Sequence, residues 1–221
     1  MAQQLFHRAV LAALVLTMAL LGSGMAQEKT VTVEIARMQL GLEPENFTFW
    51  RTGQGDPAEW RVVADPSAAD GKAIAQTSKD KTDYRFPLAV YRPISAKNVE
   101  VTLRFKPVGG SVHQAGGIAV RLSTADDYYV VRANALEDNV RFYRVISGRR
   151  EQIKGIDTKV ASGQWHALGL RAEGDKFTVS FDSKAMFTAE DKTFAEAGKV
   201  ALWTKADSIT HFDNIIIAPL P

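Results

Sequence analysis

The sequence predicts an all-β fold made of two antiparallel sheets packed face to face. Three observations carry this prediction. Beyond residue 26, apolar residues alternate with polar ones in short runs, the period of a half-buried strand. Clusters of Gly, Asp, Asn and Ser separate those runs at turn-forming spacing. Helical periodicity is nearly missing.

In chain order, the first segment stands apart. Met1 to Arg8 carries one basic charge, Ala9 to Leu21 is an unbroken apolar or small run, and Gly22-Ser23-Gly24-Met25-Ala26 follows. This is the layout of a secretory signal, with small Gly24 and Ala26 where a signal peptidase must fit them. The apolar run is shorter than the roughly 18 residues a spanning helix needs. The expectation is a signal peptide at 1–26, one domain at 27–221, a periplasmic or extracellular location, and no stable membrane span after cleavage. The chain has no cysteine, so an exported fold must stand on its core without disulfides. A net charge of +2 supplies no long-range field for nucleic acid, which is excluded from the expected partners.

The stretch Gln54–Thr82 is rich in Asp, Gly, Pro and Ser and reads as a loop over one rim of the sheets. Val99, Val101, Leu103 and Phe105 then share one strand face, with Glu100, Thr102 and Arg104 on the other. Ile118, Val120 and Leu122 oppose Ala119 and Arg121. Val140, Phe142 and Ile146 oppose Arg141 and Tyr143. Leu168 and Leu170 lie on a strand beginning at Trp165. Phe177, Val179 and Phe181 oppose Thr178 and Ser180, and Val200 and Leu202 oppose Ala201 and Trp203. Turns fall at Gly109-Gly110, Asp126-Asp127, Glu137-Asp138-Asn139, Ser147-Gly148, Glu173-Gly174-Asp175 and Asp182-Ser183. Asp191–Ala197, with Thr193 and Glu196 at capping-box spacing and Gly198 beyond, predicts a single helical turn.

If the faces bearing Ile118, Val120, Leu122, Val140 and Phe142 point inward, the residues between them point out. Arg121, Arg132, Asn134, Asn139, Arg141 and Tyr143 then form one polar face on neighbouring strands, joined by Trp203. Guanidinium forks and amides hydrogen-bond sugar hydroxyls, and an aromatic ring packs on the apolar face of a pyranose. The competing explanation is that these are ordinary cross-strand pairs and that Trp203 covers a core edge. Trp50, Trp60 and Trp165 are assigned to core or rim packing. His113, His166 and His211 show no metal-protease spacing, and His166 alternates in step with the core residues of its strand.

A retaining glycosidase needs two carboxylates roughly 5 Å apart. The nearest pattern, Glu173-Gly174-Asp175, has Thr178 where a third acid would stand, and it reads as a hairpin turn. No nucleophile elbow or phosphate-binding glycine loop is present.

The segments Asp127-Tyr-Tyr-Val-Val-Arg-Ala-Asn-Ala-Leu-Glu-Asp-Asn-Val-Arg-Phe-Tyr-Arg-Val145, Gly163-Gln-Trp-His166, Gly198-Lys-Val-Ala-Leu-Trp-Thr-Lys-Ala-Asp-Ser208 and Phe212-Asp-Asn-Ile215 together resemble the DUF1080 group, the 3-keto-disaccharide hydrolase domain, within the concanavalin A-like and LamG-like superfamily. The resemblance implies a jelly-roll β-sandwich of two antiparallel sheets, export, and an oligosaccharide or glycan partner on a concave face. It also implies a structural Ca²⁺ between an acid of the last strand and an N-terminal loop, which points to Asp213 with Asn46. Members that look enzymatic carry longer loops and more acids over that face than this chain has. Three functions stay open: a non-catalytic glycan binder, a hydrolase of 3-keto-glycosides with unassigned catalytic residues, and an adhesion or assembly module.

Overall fold

The computed structural model describes residues 29–221, so the expected signal segment lies outside the described residues. Fifteen strands and one 3-10 turn (Ile35–Arg37) make up the regular structure. The first sheet contains β1 (Val31–Thr32), β3 (Trp60–Ala64), β4 (Lys72–Gln76), β6 (Val99–Gly109), β11 (His166–Glu173), β12 (Lys176–Phe181), β13 (Lys184–Glu190) and β15 (Ile209–Pro219). Its order is β13-β12-β11-β6-β15-β4-β3, with β1 also on β15. The second contains β2 (Phe47–Gly53), β5 (Arg85–Ala96), β7 (Ala115–Thr124), β8 (Asp127–Asn134), β9 (Asn139–Ile146), β10 (Arg149–Asp157) and β14 (Gly198–Trp203), in the order β10-β9-β8-β7-β14-β5-β2. All pairings are antiparallel.

The main core lies between the sheets and is built from the residues the alternation selects. Val99, Val101, Leu103, Phe105, Leu168, Leu170, Phe177, Val179 and Phe181 of one sheet meet Ile118, Val120, Tyr129, Val131, Val140, Phe142, Val200 and Leu202 of the other. Trp60 is fully buried in it.

Three expectations need correction. The stretch Gln54–Thr82 is not only a loop, because it contains the β3–β4 hairpin, closed by Asp65 whose carboxylate accepts from the Ser67 N–H and hydroxyl. Asp191–Ala197 forms no helix. Asp191 Oδ1 accepts from the Thr193 N–H at 2.8 Å and from the Tyr129 hydroxyl at 2.7 Å, and Arg144 reaches its other oxygen at 2.9 Å. The capping signal in the sequence is therefore an Asx turn tied to the sheet. The third correction is in β7, where the register slips between Val120 and Thr124 and Arg121 takes a left-handed φ of 53°. A bulge reverses the face of every residue after it. Leu122 accordingly packs on the outer side of the sheet, with Ala119, and Arg121 turns to the inner side.

That outer side is itself a core. Phe86, Leu88, Val90, Ala119, Tyr128, Val130, Tyr143, Val145, Ala201 and Trp203 form a second buried cluster there. The sheet rolls up to enclose it. In a flat sheet β9 and β5, four places apart, would lie about 19 Å from each other. Yet the Tyr84 hydroxyl, beside the start of β5, donates to Gly148 O in the β9–β10 turn at 2.7 Å. The Thr52 hydroxyl of edge strand β2 likewise donates to Ala125 O in the β7–β8 turn. Hairpins thus close over this concave side, the trough, near Tyr128, and the polar residues gather towards the Asn134 end of β8.

Candidate functional site

Asn134 and Asn139 close the β8–β9 hairpin at that end and pair with each other in register, followed by Arg132 opposite Arg141. Even positions of β8 between Tyr128 and Asn134 face the trough, so Arg132 and Asn134 project into it, and odd positions of β9 bring Asn139, Arg141 and Tyr143 to the same side. The alternation in the sequence puts these five on one face, as the register does.

The loops add what the strands do not show. Arg132 Nη2 lies 2.7 Å from Glu137 Oε2 and 3.1 Å from the Tyr143 hydroxyl, and Arg132 also donates to the Asn139 amide oxygen. His113 Nε2 donates to Asp83 Oδ1 at 2.8 Å, and Lys205 Nζ meets the same oxygen at 2.8 Å. Two groups meet His113 Nδ1: the Asn134 amide nitrogen at 3.0 Å and Glu137 Oε1 at 3.3 Å. The Gln114 and Leu136 N–H groups donate to Asn134 Oδ1, which fixes that amide with its nitrogen towards the ring. In neutral His113, Nδ1 therefore accepts from Asn134, and in the imidazolium it donates to Glu137. With the imidazolium, one continuous chain runs from Lys205 through Asp83, His113, Glu137 and Arg132 to Tyr143.

Its outward surface is acidic and its interior basic. The Asp83 and Glu137 side chains are 65% and 37% exposed, against 10% for Lys205 and 5% for Arg132. Lys205 and then His113 hold the Asp83 carboxyl below its ordinary range. His113, and behind it Arg132, does the same for Glu137 against the opposing effect of burial.

The loops are fixed from below. Arg85 is fully buried and donates to Asp56 O, Pro57 O and Ala206 O at 2.8–3.0 Å, clamping the segment that carries Lys205. Asp207 accepts from the N–H groups of Ser111, Val112 and His113 and from the Ser111 hydroxyl, shaping the loop that presents His113. Gly110 has φ 133°, and a Cβ there would stand 1.9 Å from His113 O.

The floor is aromatic. Trp203 stacks on Phe86 at 5.3 Å and donates its N–H to the Tyr128 hydroxyl at 3.2 Å. The guanidinium of Arg150, on β10, lies 4.4 Å from the Tyr143 ring, 4.9 Å from Phe86 and 5.9 Å from Trp203.

Of the expected site residues, Arg132, Asn134 and Tyr143 come together here with Asn139. Arg141 shares the face but is paired with Asp157. Trp203 is on the expected side but fully buried, so it underlies the site and offers no ring face to a ligand. Arg121 is not in the group. The bulge sends it to another part of the sandwich, where it donates to Lys97 O, Phe194 O and Gly174 O and lies 5.2 Å from the Phe177 ring, beside a cavity of about 350 Å³. Asp213 does not fit a calcium site, since its oxygens accept from the Ala69 and Asn214 N–H groups and Arg104 stands 3.7 Å away. Asn46 precedes a strand of the opposite sheet, and no group of three metal-ligating side chains occurs among the described residues. His166 bonds Asp182 and the Ala161 backbone through its two nitrogens, a structural role. Asp83, Glu137, Lys205 and Arg150 were not anticipated. For Arg150 a signal existed, because the two-residue Ser147-Gly148 turn sets it opposite Val145, two residues from Tyr143 on the same face.

Comparison with known proteins agrees with this architecture. The family model for the galactocerebrosidase C-terminal lectin domain matches residues 88–220. The levanase of Bacillus subtilis (strain 168) is 23% identical over 198 residues, which are 87% of this chain and 26% of levanase, so the chain spans about a quarter of that relative. Among solved structures, carbohydrate-binding module CBM66 from Bacillus subtilis superposes with a TM-score of 0.60 at 21% identity, covering 78% of this chain and 97% of the module. Domain 4 of AbnA, an extracellular arabinanase from Geobacillus stearothermophilus, gives 0.58 at 14% identity over 85% and 90% of the two chains. The Bacillus licheniformis β-glucanase gives 0.52 at 12%, over 82% and 96%. These likenesses establish the jelly-roll sandwich the sequence predicts.

Proposed function

The chain belongs to the galactocerebrosidase C-terminal lectin domain family, and we propose that it binds glycan through the ring of polar groups at the Asn134 end of the trough. The observation that carries this is the pairing of two exposed carboxylates, Asp83 and Glu137, each held ionised by a buried cation and both joined through His113. An ionised carboxylate accepts from two neighbouring sugar hydroxyls, and fixing it in advance removes the ordering cost of binding. Asp83 and Glu137 meet the ligand, while Arg132, Tyr143, Asn134, Asn139 and Asp207 position them. The expected setting is outside the cytoplasm, after loss of residues 1–26.

Hydrolysis of 3-keto-glycosides, the activity the DUF1080 resemblance implies, is the weaker alternative. A general acid must hold its proton near neutral pH, whereas Asp83 and Glu137 are both pushed the other way. Both nitrogens of His113 are already engaged. Incubation with a 3-keto-disaccharide is expected to release no free sugar.

The test of binding is calorimetry of the protein and of D83A and E137A against a panel of neutral and acidic oligosaccharides. Each carboxylate accounts for about 1.5–3 kcal/mol, so each variant is expected to bind about ten- to a hundredfold more weakly. No heat from any oligosaccharide with the folded wild-type protein would overturn the proposal.

A further inference from the structure

Arg150 is the one cation of the trough without an anionic partner. Arg132 is matched by Glu137 and Lys205 by Asp83, each within 2.8 Å. The Arg150 side chain forms no hydrogen bond or ion pair with the described residues, and its Nη1 is sealed from solvent with its donors unused. Sealing a donor without a partner is costly, and a charged one more so. The cost is met only in part by the rings of Tyr143, Phe86 and Trp203 beneath it. The rings attract the charge but offer no hydrogen-bond acceptor in the guanidinium plane, which leaves its N–H edge for one.

Charge points the same way. The cations Arg132, Arg150 and Lys205 stand against the carboxylates Asp83 and Glu137, an excess of one positive charge. Arg132 and Lys205 repel Arg150, and Glu137 attracts it. The Tyr143 ring lies between the two guanidinium groups, 4.4 Å from Arg150 and 5.7 Å from Arg132.

We propose that the glycan held in this trough carries a carboxylate, as a uronic acid does, and that Arg150 receives it as a two-pronged hydrogen-bonded pair through Nε and Nη2, which carry no hydrogen bond and, unlike Nη1, are not sealed. This rests on the trough being the glycan site and names the class of sugar it takes. Asp83 and Glu137 then bind hydroxyls while Arg150 binds the charged group, so the ligand's charge is read at one place and its stereochemistry at another.

The experiment compares matched pairs: uronic-acid-terminated oligosaccharides and their neutral hexose counterparts, titrated into wild type, R150M and R150K. R150M keeps the apolar cover over the rings, and R150K keeps the charge without the planar fork. The expected result is at least tenfold tighter binding of the acidic member of one pair, abolished in R150M, reduced in R150K and weakened by added salt. Equal binding of acidic and neutral members, or an acid preference that survives in R150M, overturns this inference and leaves glycan binding standing. No binding of either member of any pair overturns both. If R150M fails to unfold cooperatively, R150K and the salt dependence decide the matter.

Discussion

Replacing Asp207 by Asn isolates the interaction that shapes the His113 loop, because it changes one carboxylate oxygen into a donor while keeping the side chain's size. Oδ2 accepts from Ser111 N at 2.6 Å and from Ser111 Oγ at 2.9 Å, Oδ1 accepts from His113 N at 3.1 Å, and the Val112 N–H is shared between Oδ1 at 3.0 Å and Oδ2 at 3.2 Å. An amide oxygen can take the place of one carboxylate oxygen, and the amide nitrogen then faces an N–H group it cannot accept from, that of His113 or that of Ser111. A buried donor left unsatisfied costs about 1–3 kcal/mol, so D207N is expected to lose about that much. For a domain of this size that lowers Tm by about 2–4 °C per kcal/mol. The loss also depends on pH. Burial pushes the Asp207 carboxyl up, but the donors of Ser111, His113 and Val112 outweigh it and hold the group below its ordinary value. A carboxyl lowered in the folded state stabilises fully above its unfolded value, about 3.9, and that contribution disappears as pH falls through the folded value. The gap between wild type and D207N should therefore be widest near neutrality and should narrow below about pH 4. Urea unfolding at several pH values measures this. A gap below about 1 kcal/mol at neutral pH, or one that stays constant into the acid range, would refute the account of the loop.

Three further substitutions test other parts of the fold. In G198A the new Cβ would stand 2.4 Å from Arg121 C and 2.7 Å from Arg121 Cα, both backbone atoms, so a loss of about 2–4 kcal/mol is expected in thermal unfolding. Wild-type stability there would mean that the bulge does not sit against β14. R121M removes the donors to three backbone carbonyls, Lys97 O, Phe194 O and Gly174 O. Denaturant unfolding should show a loss of roughly 3 kcal/mol or more with glycan binding unchanged, and weakened binding in a folded variant would return Arg121 to the site. Y84F removes the hydroxyl that donates to Gly148 O at 2.7 Å and accepts from Arg150 N at 3.0 Å. The expected cost is about 1 kcal/mol, read as faster hydrogen exchange of the Arg150 amide; unchanged exchange would mean that the rolled sheet is closed without this latch.

Much of the architecture is legible in the sequence, and the reasons differ between the sheets. Strands such as Val99–Gly109 and Lys176–Phe181 have one face in the core and one more open to solvent, so period two is written plainly into them. In β8 the run Tyr128-Tyr-Val-Val-Arg-Ala-Asn134 is buried throughout, because the rolled sheet has a core on each side. There alternation gives the faces but not the burial, which is why Trp203 reads as a free platform and is a sealed floor. The Arg121 error comes from a backbone event, since nothing in the alternation of 118–122 announces a left-handed residue. Within the site, Arg132, Asn134, Asn139 and Tyr143 follow from strand parity. Asp83, His113 and Lys205 arrive on separate loops, brought together by the burial of Arg85 and Asp207, and no spacing along the chain records that meeting.

The sheet with a core on each side also limits how such a protein can diverge. Most side chains in the middle of β7, β8 and β14 are enclosed, so exchanging one for another disturbs packing before it alters recognition. Novelty in what is recognised must therefore come from segments 80–84, 110–114 and 136–139 and from edge strand β10, where more of the side chains meet solvent. Their side chains bond one another, so a new specificity requires several of these segments to change together. Descendants of this chain that take different sugars should thus differ by linked sets of loop residues over an almost unaltered pair of cores.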